Sequence, residues 1–562
     1  MLRETLGIMR DLPRLRELTS VFIRHGLGDV VRRIGIAAAF ERAGEILHLG
    51  ASAETLKLDP AERARRALEE LGPTFVKLGQ VLATRVDVFP YRWITEFEKL
   101  HSEVPAVPFA ELLPELEHAL DRSPFEVFRD LDTRAHGSAS IAQVHRAKLA
   151  DGTPVVLKIR RPGIRDKVSA DLRILRHIAE LLESELPEAR RYRPTEIAAH
   201  FSRSLARELD FSVEARSIER IAKNFADHPH IVIPRVYPEL SSETLLVQQH
   251  VEGVPATDLA AVEAAGLDRK VIADHGCESV LKMILIDGFF HADPHPGNVF
   301  FLPDNRIVMI DFGMVGRLSP HRRRQVVDLL AGLARMEEEP MLDVLLDWAG
   351  EAYVDEAKLS EDVNELVYEY EGVPLKDIRI GALIRQFAAI VRQHSILLPP
   401  DLTLMFKALI TMEGLGRRYN PEFNVTEHLA PMLRRALRER FQPAELVRRG
   451  RGAVSDFLGL IGSVPRDMVR LLREARRGKT RVDLDLKRLD SFGRQLDRTL
   501  DRVTIGILTA SLVIGSAIVL TVDGGPRILG IPVLGALGLL GYVLAFFNSL
   551  WIFYGIWRSG KE

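Results

Sequence analysis

Hydrophobic and polar positions change their period along this chain, and each change marks a different kind of structure. Up to about residue 120 apolar residues recur at three-to-four spacing, which predicts helices. Glu62 to Leu71 is a charged amphipathic stretch, and Gly72-Pro73-Thr74 supplies a break and an N-cap before FVKLGQVLATR. Between Ile141 and Ile159 the period becomes two: SIAQVHRAKL, an Asp151-Gly152 turn and TPVVLKIRR read as a β-hairpin. In its second strand Val155, Leu157 and Ile159 share one face, and Val156 and Lys158 share the other. Helical spacing returns from Ile164 to Leu186 and from Thr195 to Ile221, after which VIPRVYPEL and ETLLVQQHVEG read as further strands. From Gly253 to about residue 440 the pattern is helical apart from one short hairpin. The architecture predicted is α+β, a small sheet-containing lobe followed by a helical lobe.

The exceptional hairpin carries the sharpest chemical signal: HADPHPGN, strand VFFL, turn Pro303-Asp304-Asn305, strand RIVMI, then Asp311-Phe312-Gly313. Asn298 precedes one strand and Asp311 follows the other, so antiparallel pairing brings an amide oxygen and a carboxylate side by side, a donor set for a hard divalent cation. Asp293 falls in the same loop, placed to orient a nucleophile or accept its proton. His291-x-Asp293-x4-Asn298 followed by Asp311-Phe312-Gly313 matches a kinase-type catalytic loop and metal motif in order and spacing, which predicts phosphate-nucleotide chemistry. The competing readings of His291, Asp293 and His295 are a transition-metal cluster and ordinary structural histidines. Lys158 would then reach the nucleotide phosphates and needs a carboxylate to hold it. Treating LARELDFSVEARSIERI as one helix puts Glu208 about 200° round from Asp210 at 100° per residue, with Asp210 and Glu214 on one face. Glu208 is expected toward Lys158 and the Asp210/Glu214 pair toward another partner; a solvated acidic helix is the plain alternative. No GxGxxG precedes the first hairpin, where Ala135-His136-Gly137-Ser138-Ala139-Ser140 stands instead. Asp311 runs through MVGR and Leu318 to an N-cap at Ser319, leaving no room for a peptide-binding segment, so protein substrates are disfavoured.

These residues together resemble the UbiB family of atypical protein-kinase-like proteins, also called aarF-domain proteins, over roughly residues 60 to 330. LGPTFVKLGQVLATR is similar to the family's KxGQ signature and yields Lys77 and Gln80 as regulatory positions. The resemblance implies a bilobal kinase-like fold in which a helical extension covers the site where a protein substrate would bind. It also implies that the KxGQ lysine meets the ExD helix (Glu208-Leu209-Asp210), so that Asp210 and Glu214 face Lys77. ATP and Mg²⁺ follow as expected cofactors, with Asp293, Lys158 and Glu208 catalytic and Asn298 and Asp311 holding metal. Gly137, Ser138, Ala139 and Ser140 stand where the family has AAAS, a loop thought to restrain nucleotide use. Gln249 replaces a frequent acidic hinge residue, with backbone contacts to adenine expected from Gln248 to Val251.

Composition adds the membrane. Val503 to Val522 and Ile528 to Trp557 carry no charge, separated by Asp523-Gly524-Gly525-Pro526-Arg527. Each is long enough for a bilayer core of about 30 Å. They predict a transmembrane helical hairpin, with two buried helices of a soluble core as the alternative. Gly506/Ala510, Ser511/Gly515 and Gly541/Ala545 would allow close helix approach, and Pro532 would kink the second helix. Twelve Lys/Arg between Arg466 and Arg502 put both ends on the cytoplasmic side and suit anionic lipid, although seven acidic residues there equally suit a solvated linker helix. The whole chain has 562 residues, 76 Lys+Arg against 78 Asp+Glu and 27% charged residues, which argues against a globally basic nucleic-acid binder. With Cys277 alone, no intrachain disulfide or CxxC site can form, and MLRETLGIMRDLPRLREL lacks a signal-peptide h-region.

The divisions expected are a helical extension (1–120), two lobes (121–253 and 254–440), a basic linker (441–502) and the hairpin (503–557). The function expected is a Mg-dependent ATPase or atypical kinase at the inner (cytoplasmic) membrane, supporting ubiquinone biosynthesis or isoprenoid lipid homeostasis. Its partners would be membrane lipids, prenyl-phenol or quinone intermediates and quinone-biosynthesis enzymes, and not nucleic acid. A small-molecule phosphotransferase and a nucleotide-sensing scaffold without turnover are the alternatives.

Overall fold

The computed structural model describes residues 2–33, 53–100, 104–335, 337–350, 354–371, 373 and 378–440, and then 509–519, 527–528, 531–532 and 537–548. Two compact units divide the chain, Met1–Val447 and Arg448–Glu562. The expected linker 441–502 lies outside the described residues.

The first unit is organised around a four-stranded antiparallel sheet of order β1-β2-β3-β5, formed by Gly137–Ser138 (β1), Ala142–Lys148 (β2), Pro154–Arg160 (β3) and Leu245–Gln249 (β5). The predicted alternation holds. Val155, Leu157 and Ile159 are fully buried against Leu112, Leu116, Phe128 and Tyr237, while Lys158 stands on the opposite face. Ile231–Val232 (β4) does not join this sheet; it pairs in parallel with Ile307–Met309 (β9) in a second sheet that also holds Val254–Pro255 (β6) and Val299–Phe301 (β8). The β8–β9 hairpin has the expected turn, with Asn305 at φ +60°. Phe289–His291 (β7) pairs with Val315–Arg317 (β10), and Ser319 Oγ accepts from the Arg322 N–H to open the Pro320–Arg335 helix. The chain therefore turns straight from Asp311 into a strand and a helix.

One expected helix is two. The segment from Thr195 to Ile221 breaks into Pro194–Glu208 and Phe211–Asn224, because Asp210 leaves the helical region (φ −111°, ψ 98°) and its carboxylate caps the second helix by accepting from the Ser212 N–H at 3.0 Å. Phe211, Ala215, Ile218 and Ile221 form the buried face of the second helix, and Glu214 lies on that same face.

The N-terminal extension is clamped at both ends. Arg14 donates to the buried Asp171 at 2.7 Å and Arg173 to Asp11 at 2.8 Å, tying Leu2–Arg24 to the Ile164–Glu185 helix. After the Pro73–Leu82 helix, Arg85 and a fully buried Asp87 form a two-pronged pair at 2.8 and 2.7 Å, and Asp87 also accepts from the Leu398 N–H at 3.0 Å. Arg392 donates to the Val86 carbonyl at 2.6 Å. Residues 85–87 thus fasten the extension to the connection between the Ile380–Gln393 and Pro400–Tyr419 helices. The KxGQ glycine has a packing reason: a Cβ on Gly79 would come within 2.1 Å of Leu100 Cδ1 and 2.9 Å of Leu68 Cδ1.

In the second unit, stretches 509–519 and 537–548 are helical and pack together: Asn548 Nδ2 donates to Thr509 Oγ1 at 2.6 Å, and Gly541 lies against Ser516. The close approach uses Gly541 and Ala545 on one helix but Thr509 and Ser516 on the other, while Gly515 meets nothing. Leu512, Ile514, Ile518, Leu539, Phe546 and Phe547 are exposed. Arg527–Ile528 pairs antiparallel with Ile531–Pro532, so the second expected span opens on a short strand pair and Pro532 stands in a strand instead of kinking a helix; the rest of both expected spans lies outside the described residues, and among the described residues no helix is long and apolar enough to cross a membrane.

Removing Asp87 strands a buried guanidinium and a buried amide, so Asp87→Ala is expected to cost about 3 kcal/mol or more. Urea unfolding of the full-length protein measures it, and a midpoint within error of wild type would contradict the clamp.

Candidate functional site

Between the Pro73–Leu82 helix, the sheet and the Asp293–Asp311 hairpin lies a cavity of about 670 Å³ lined by Lys77, Gln80, Glu98, Ser138–Ala142, Lys158, Glu208, Asp293, Asp311 and Lys407 among others. Ammonium and carboxylate groups meet here in three sets. Lys158 Nζ lies 2.9 Å from both Glu214 oxygens and 2.8 Å from Asp311 Oδ1. Lys77 Nζ lies 2.5 Å from Glu208 Oε1. Lys407 Nζ lies 2.7 Å from Asp293 Oδ1.

The expected pairing is thereby reversed: Glu214, not Glu208, holds Lys158, and Glu208, not Asp210 or Glu214, meets Lys77. The helix break explains it. A spacing of 100° per residue applies only within one helix, and Asp210 is spent as a cap between two. Glu208 ends one helix toward the extension, and Glu214 starts the next with its side chain turned into the core.

Each pair has an electrostatic signature. Burial works against the Lys158 ammonium, but Asp311 and Glu214 outweigh it and raise its pKa. Burial likewise opposes the charged form of Lys77, and Glu208 more than restores it. Asp311 is held well below the usual carboxylate range because Lys158 and Lys77 overcome its burial. Glu214 goes the other way, pushed up to about 7 by burial and the neighbouring Asp311 charge, with Lys158 only partly compensating. For Asp293, burial is outweighed by Lys407 and the adjacent histidines, so its pKa falls below the ordinary value.

The loop around Asp293 is braced internally. His291 is fully buried, its Nε2 donating to the Ile310 carbonyl at 3.1 Å while Nδ1 accepts from the Asp293 N–H at 3.2 Å, and burial lowers its pKa, so it is neutral. Its ring packs on Phe312 of the Asp-Phe-Gly turn, 4.9 Å between centroids. His295 Nδ1 accepts from the Gly297 N–H. These are structural histidines, and no cluster of three or more potential metal-binding His, Cys, Asp or Glu residues occurs among the described residues. The buried Asn298 donates through Nδ2 to the Asp293 carbonyl at 3.2 Å, which leaves its amide oxygen for a cation. Ile310 N–H bonds the Asn298 carbonyl at 3.0 Å, joining the two ends of the hairpin. Asp311, which follows Ile310 directly, has φ +59° and is half exposed, lining the cavity, whereas Asn298 is not among the lining residues. This donor set fits one hard divalent cation carrying phosphate oxygens.

Other expected positions divide. Ser138, Ala139 and Ser140 line the cavity in a short turn braced by Arg161, which donates to Ser138 Oγ and the Ala139 carbonyl. Gly137 lies just outside it, paired with Val144, and a Cβ there would meet only Val144 at 3.9 Å. Gln80 reaches the cavity and donates to the Leu100 carbonyl at 3.1 Å. Gln249 and Val251 are not brought to the cavity: β5 pairs with β3 on one edge, and the Gln249 N–H is committed to the Arg235 carbonyl on the other. Lys407 was not anticipated, because a lone lysine in a helix of ordinary composition carries no local signal.

A two-lobed fold with a strand lysine, a buried helix carboxylate and an Asp-x4-Asn…Asp-Phe-Gly hairpin defines a kinase-like protein. Residues 99–345 match the ABC1 atypical kinase-like domain, 363–424 the UbiB helical domain and 487–558 the ABC1/UbiB kinase-like C-terminal domain. The chain belongs to the ABC1/UbiB family of atypical kinase-like proteins. It is 34% identical to a "Probable protein kinase UbiB" of Marinobacter nauticus, over 70% of this chain and 73% of that protein. It is 32% identical to the Vibrio vulnificus protein of the same name, over 78% and 81%. An "Uncharacterized protein in hydrogenase 1 5'region" of Clostridium pasteurianum is 30% identical over 89% and 93%.

The observed pairing predicts that Glu214→Gln weakens nucleotide binding by about tenfold or more, the loss expected when a buried charge pair is cut, and more than Glu208→Gln does; titration with a fluorescent ATP analogue decides the order. The raised Glu214 also has a stability consequence. A carboxyl raised from 4.5 to about 7 contributes stability that is complete below pH 4.5 and lost as pH rises through 7. Across that window the melting temperature of wild type should fall relative to Glu214→Gln, and parallel curves would show that Glu214 is not raised.

Proposed function

We propose that this chain is a membrane-anchored, Mg-dependent ATPase or atypical small-molecule kinase that supports the biosynthesis of ubiquinone or a related prenyl-quinone lipid. The observation that carries the catalytic part is the cavity in which three ammonium groups and four carboxylates converge, with Lys158 held between Glu214 and Asp311. When bound, a Mg²⁺ ion would shield the charge of the transferring phosphate. Asn298 and Asp311 are the residues to hold it, and Ser138 to Ser140 close over the phosphates.

Lys158 is bonded to both Asp311 and Glu214, one ammonium between two carboxylates. Release of Asp311 to a cation leaves Lys158 anchored by Glu214 and directs its ammonium to phosphate oxygens. Asp293, kept ionised by Lys407, orients an acceptor hydroxyl or water and takes its proton. The Lys77 helix forms a wall of the cavity and the chain has no peptide-binding segment after Asp311, which supports a small acceptor over a protein one. The paired, outwardly apolar helices at 509–519 and 537–548 support a membrane anchor, and the resemblance to quinone-linked relatives supports the lipid pathway.

Purified full-length protein in anionic liposomes is expected to hydrolyse ATP only with Mg²⁺, and Asp311→Asn to reduce the rate by about a hundredfold or more, as loss of a transition-state electrostatic contact does. Equal turnover by Asp311→Asn would contradict the mechanism.

A further inference from the structure

A transferring phosphoryl group carries negative charge toward both the nucleotide and the acceptor, and catalysis of the transfer is largely a matter of placing positive charge at both. On the nucleotide side stands Lys158, whose three N–H donors meet three carboxylate oxygens, two of Glu214 and one of Asp311. On the acceptor side the catalytic loop supplies no lysine or arginine of its own. Pro294, His295, Pro296 and Gly297 stand between Asp293 and Asn298, and His295 turns its Nδ1 back to the Gly297 N–H. Among the described residues no arginine lines the cavity either. Lys407 fills that place from outside the loop. It enters on the Pro400–Tyr419 helix, lines the cavity, and spends one donor on Asp293 Oδ1 at 2.7 Å. Glu98 also lines the cavity and feels the Lys407 charge, but burial favours its neutral form. Two of the three Lys407 N–H donors therefore have no protein acceptor among the described residues, on a side chain that is 19% exposed.

We propose that Lys407 is a catalytic residue, its ammonium bridging Asp293 and the phosphoryl group in transit, the part an arginine finger plays where one is present. The inference rests on the proposed ATP chemistry. In the transfer, the acceptor oxygen forms a bond to the γ-phosphorus as the bond from that phosphorus to the β–γ bridging oxygen breaks. ADP leaves with the electron pair, and the acceptor proton passes to Asp293. Because Asp293 orients the attacking oxygen, an ammonium 2.7 Å from its carboxylate stands beside the phosphoryl oxygens that the same attack engages. Lys407 can keep its bond to Asp293 and give its two spare donors to those oxygens. Lys77 also has a single carboxylate partner, but that partner is Glu208, at the end of the Pro194–Glu208 helix and outside the loop that orients the acceptor. The helix that carries Lys407 begins two residues after Leu398, whose N–H is held by Asp87. The clamp of the extension thus also anchors the element that delivers this ammonium.

Equilibrium binding of ADP and of the β,γ-imido analogue of ATP, each with Mg²⁺, to the full-length protein in nanodiscs tests it, because only the analogue carries the phosphoryl group that Lys407 is to touch. Lys407→Met should weaken the ATP analogue by about tenfold, the loss of one charge-assisted hydrogen bond, and leave ADP within about twofold, which also shows that the variant is folded. Lys407→Arg, which keeps the charge, should restore most of the difference. In Mg-dependent ATP hydrolysis Lys407→Met should lower kcat by about a hundredfold. It should also lower the residual rate in an Asp293→Asn background, where a residue that merely positioned Asp293 would have nothing left to lose. An unchanged preference for the ATP analogue over ADP in Lys407→Met, or no further loss in the double variant, would overturn the inference and leave the nucleotide reading standing. Failure of wild type to bind either nucleotide would reject the nucleotide reading and the inference with it.

Discussion

The cleft of the first unit is arranged around a lysine that would be costly to bury alone. Lys158 stands on the cleft face of a central strand, and its charge is acceptable there because Glu214 and Asp311 flank it within hydrogen-bond distance. The two carboxylates are not equivalent. Glu214 is fixed on the core face of an amphipathic helix, where the apolar surroundings raise its pKa, while Asp311 lies at the end of a hairpin, open to the cavity and strongly acidic. In the proposed mechanism the contrast divides their work: one partner remains with the lysine, and the other leaves it for a cation. Lys77–Glu208 and Lys407–Asp293 repeat the same solution on the two remaining sides, so the extension and the helical lobe are tied to the cleft by charge as well as by packing.

Much of this was readable in the chain. Period-two alternation put Lys158 alone on its strand face, and the spacing from His291 to Asp311 gave the catalytic hairpin, because both are local patterns that the backbone converts directly into side-chain direction. The carboxylate assignment failed for a physical reason also present in the sequence. Asp210 stands immediately before the apolar run of Phe211, Ile218 and Ile221, the place of an N-cap, and reading it as one would have broken the helix and reversed the pairing. Lys407 was beyond local reading, since its partner is more than a hundred residues away and only the packing of the Pro400–Tyr419 helix brings them together. The Gln249 N–H bond to Arg235 likewise depends on a bridge between segments that sequence spacing does not reveal.

The extension connects the site's electrostatics to its shape. Gly79 lets Leu100 and Leu68 close on the KxGQ helix, Gln80 takes the Leu100 carbonyl, and Asp87 locks the following turn to Leu398. The helix that brings Lys77 to the cleft therefore cannot swing away without breaking buried pairs. The extension's own residues thus wall one side of the cleft, which is of small-molecule size.

The central claim is that Asp311 trades Lys158 for a metal ion when nucleotide binds. Calorimetric titration of the full-length protein with ATP, with and without Mg²⁺, beside Asp311→Asn and Lys158→Met, tests it most directly. The account predicts that Mg²⁺ tightens binding to wild type, that Asp311→Asn removes the Mg²⁺ dependence, and that Lys158→Met weakens binding in both conditions. An affinity that is the same with and without Mg²⁺, and unchanged in Asp311→Asn, would contradict it.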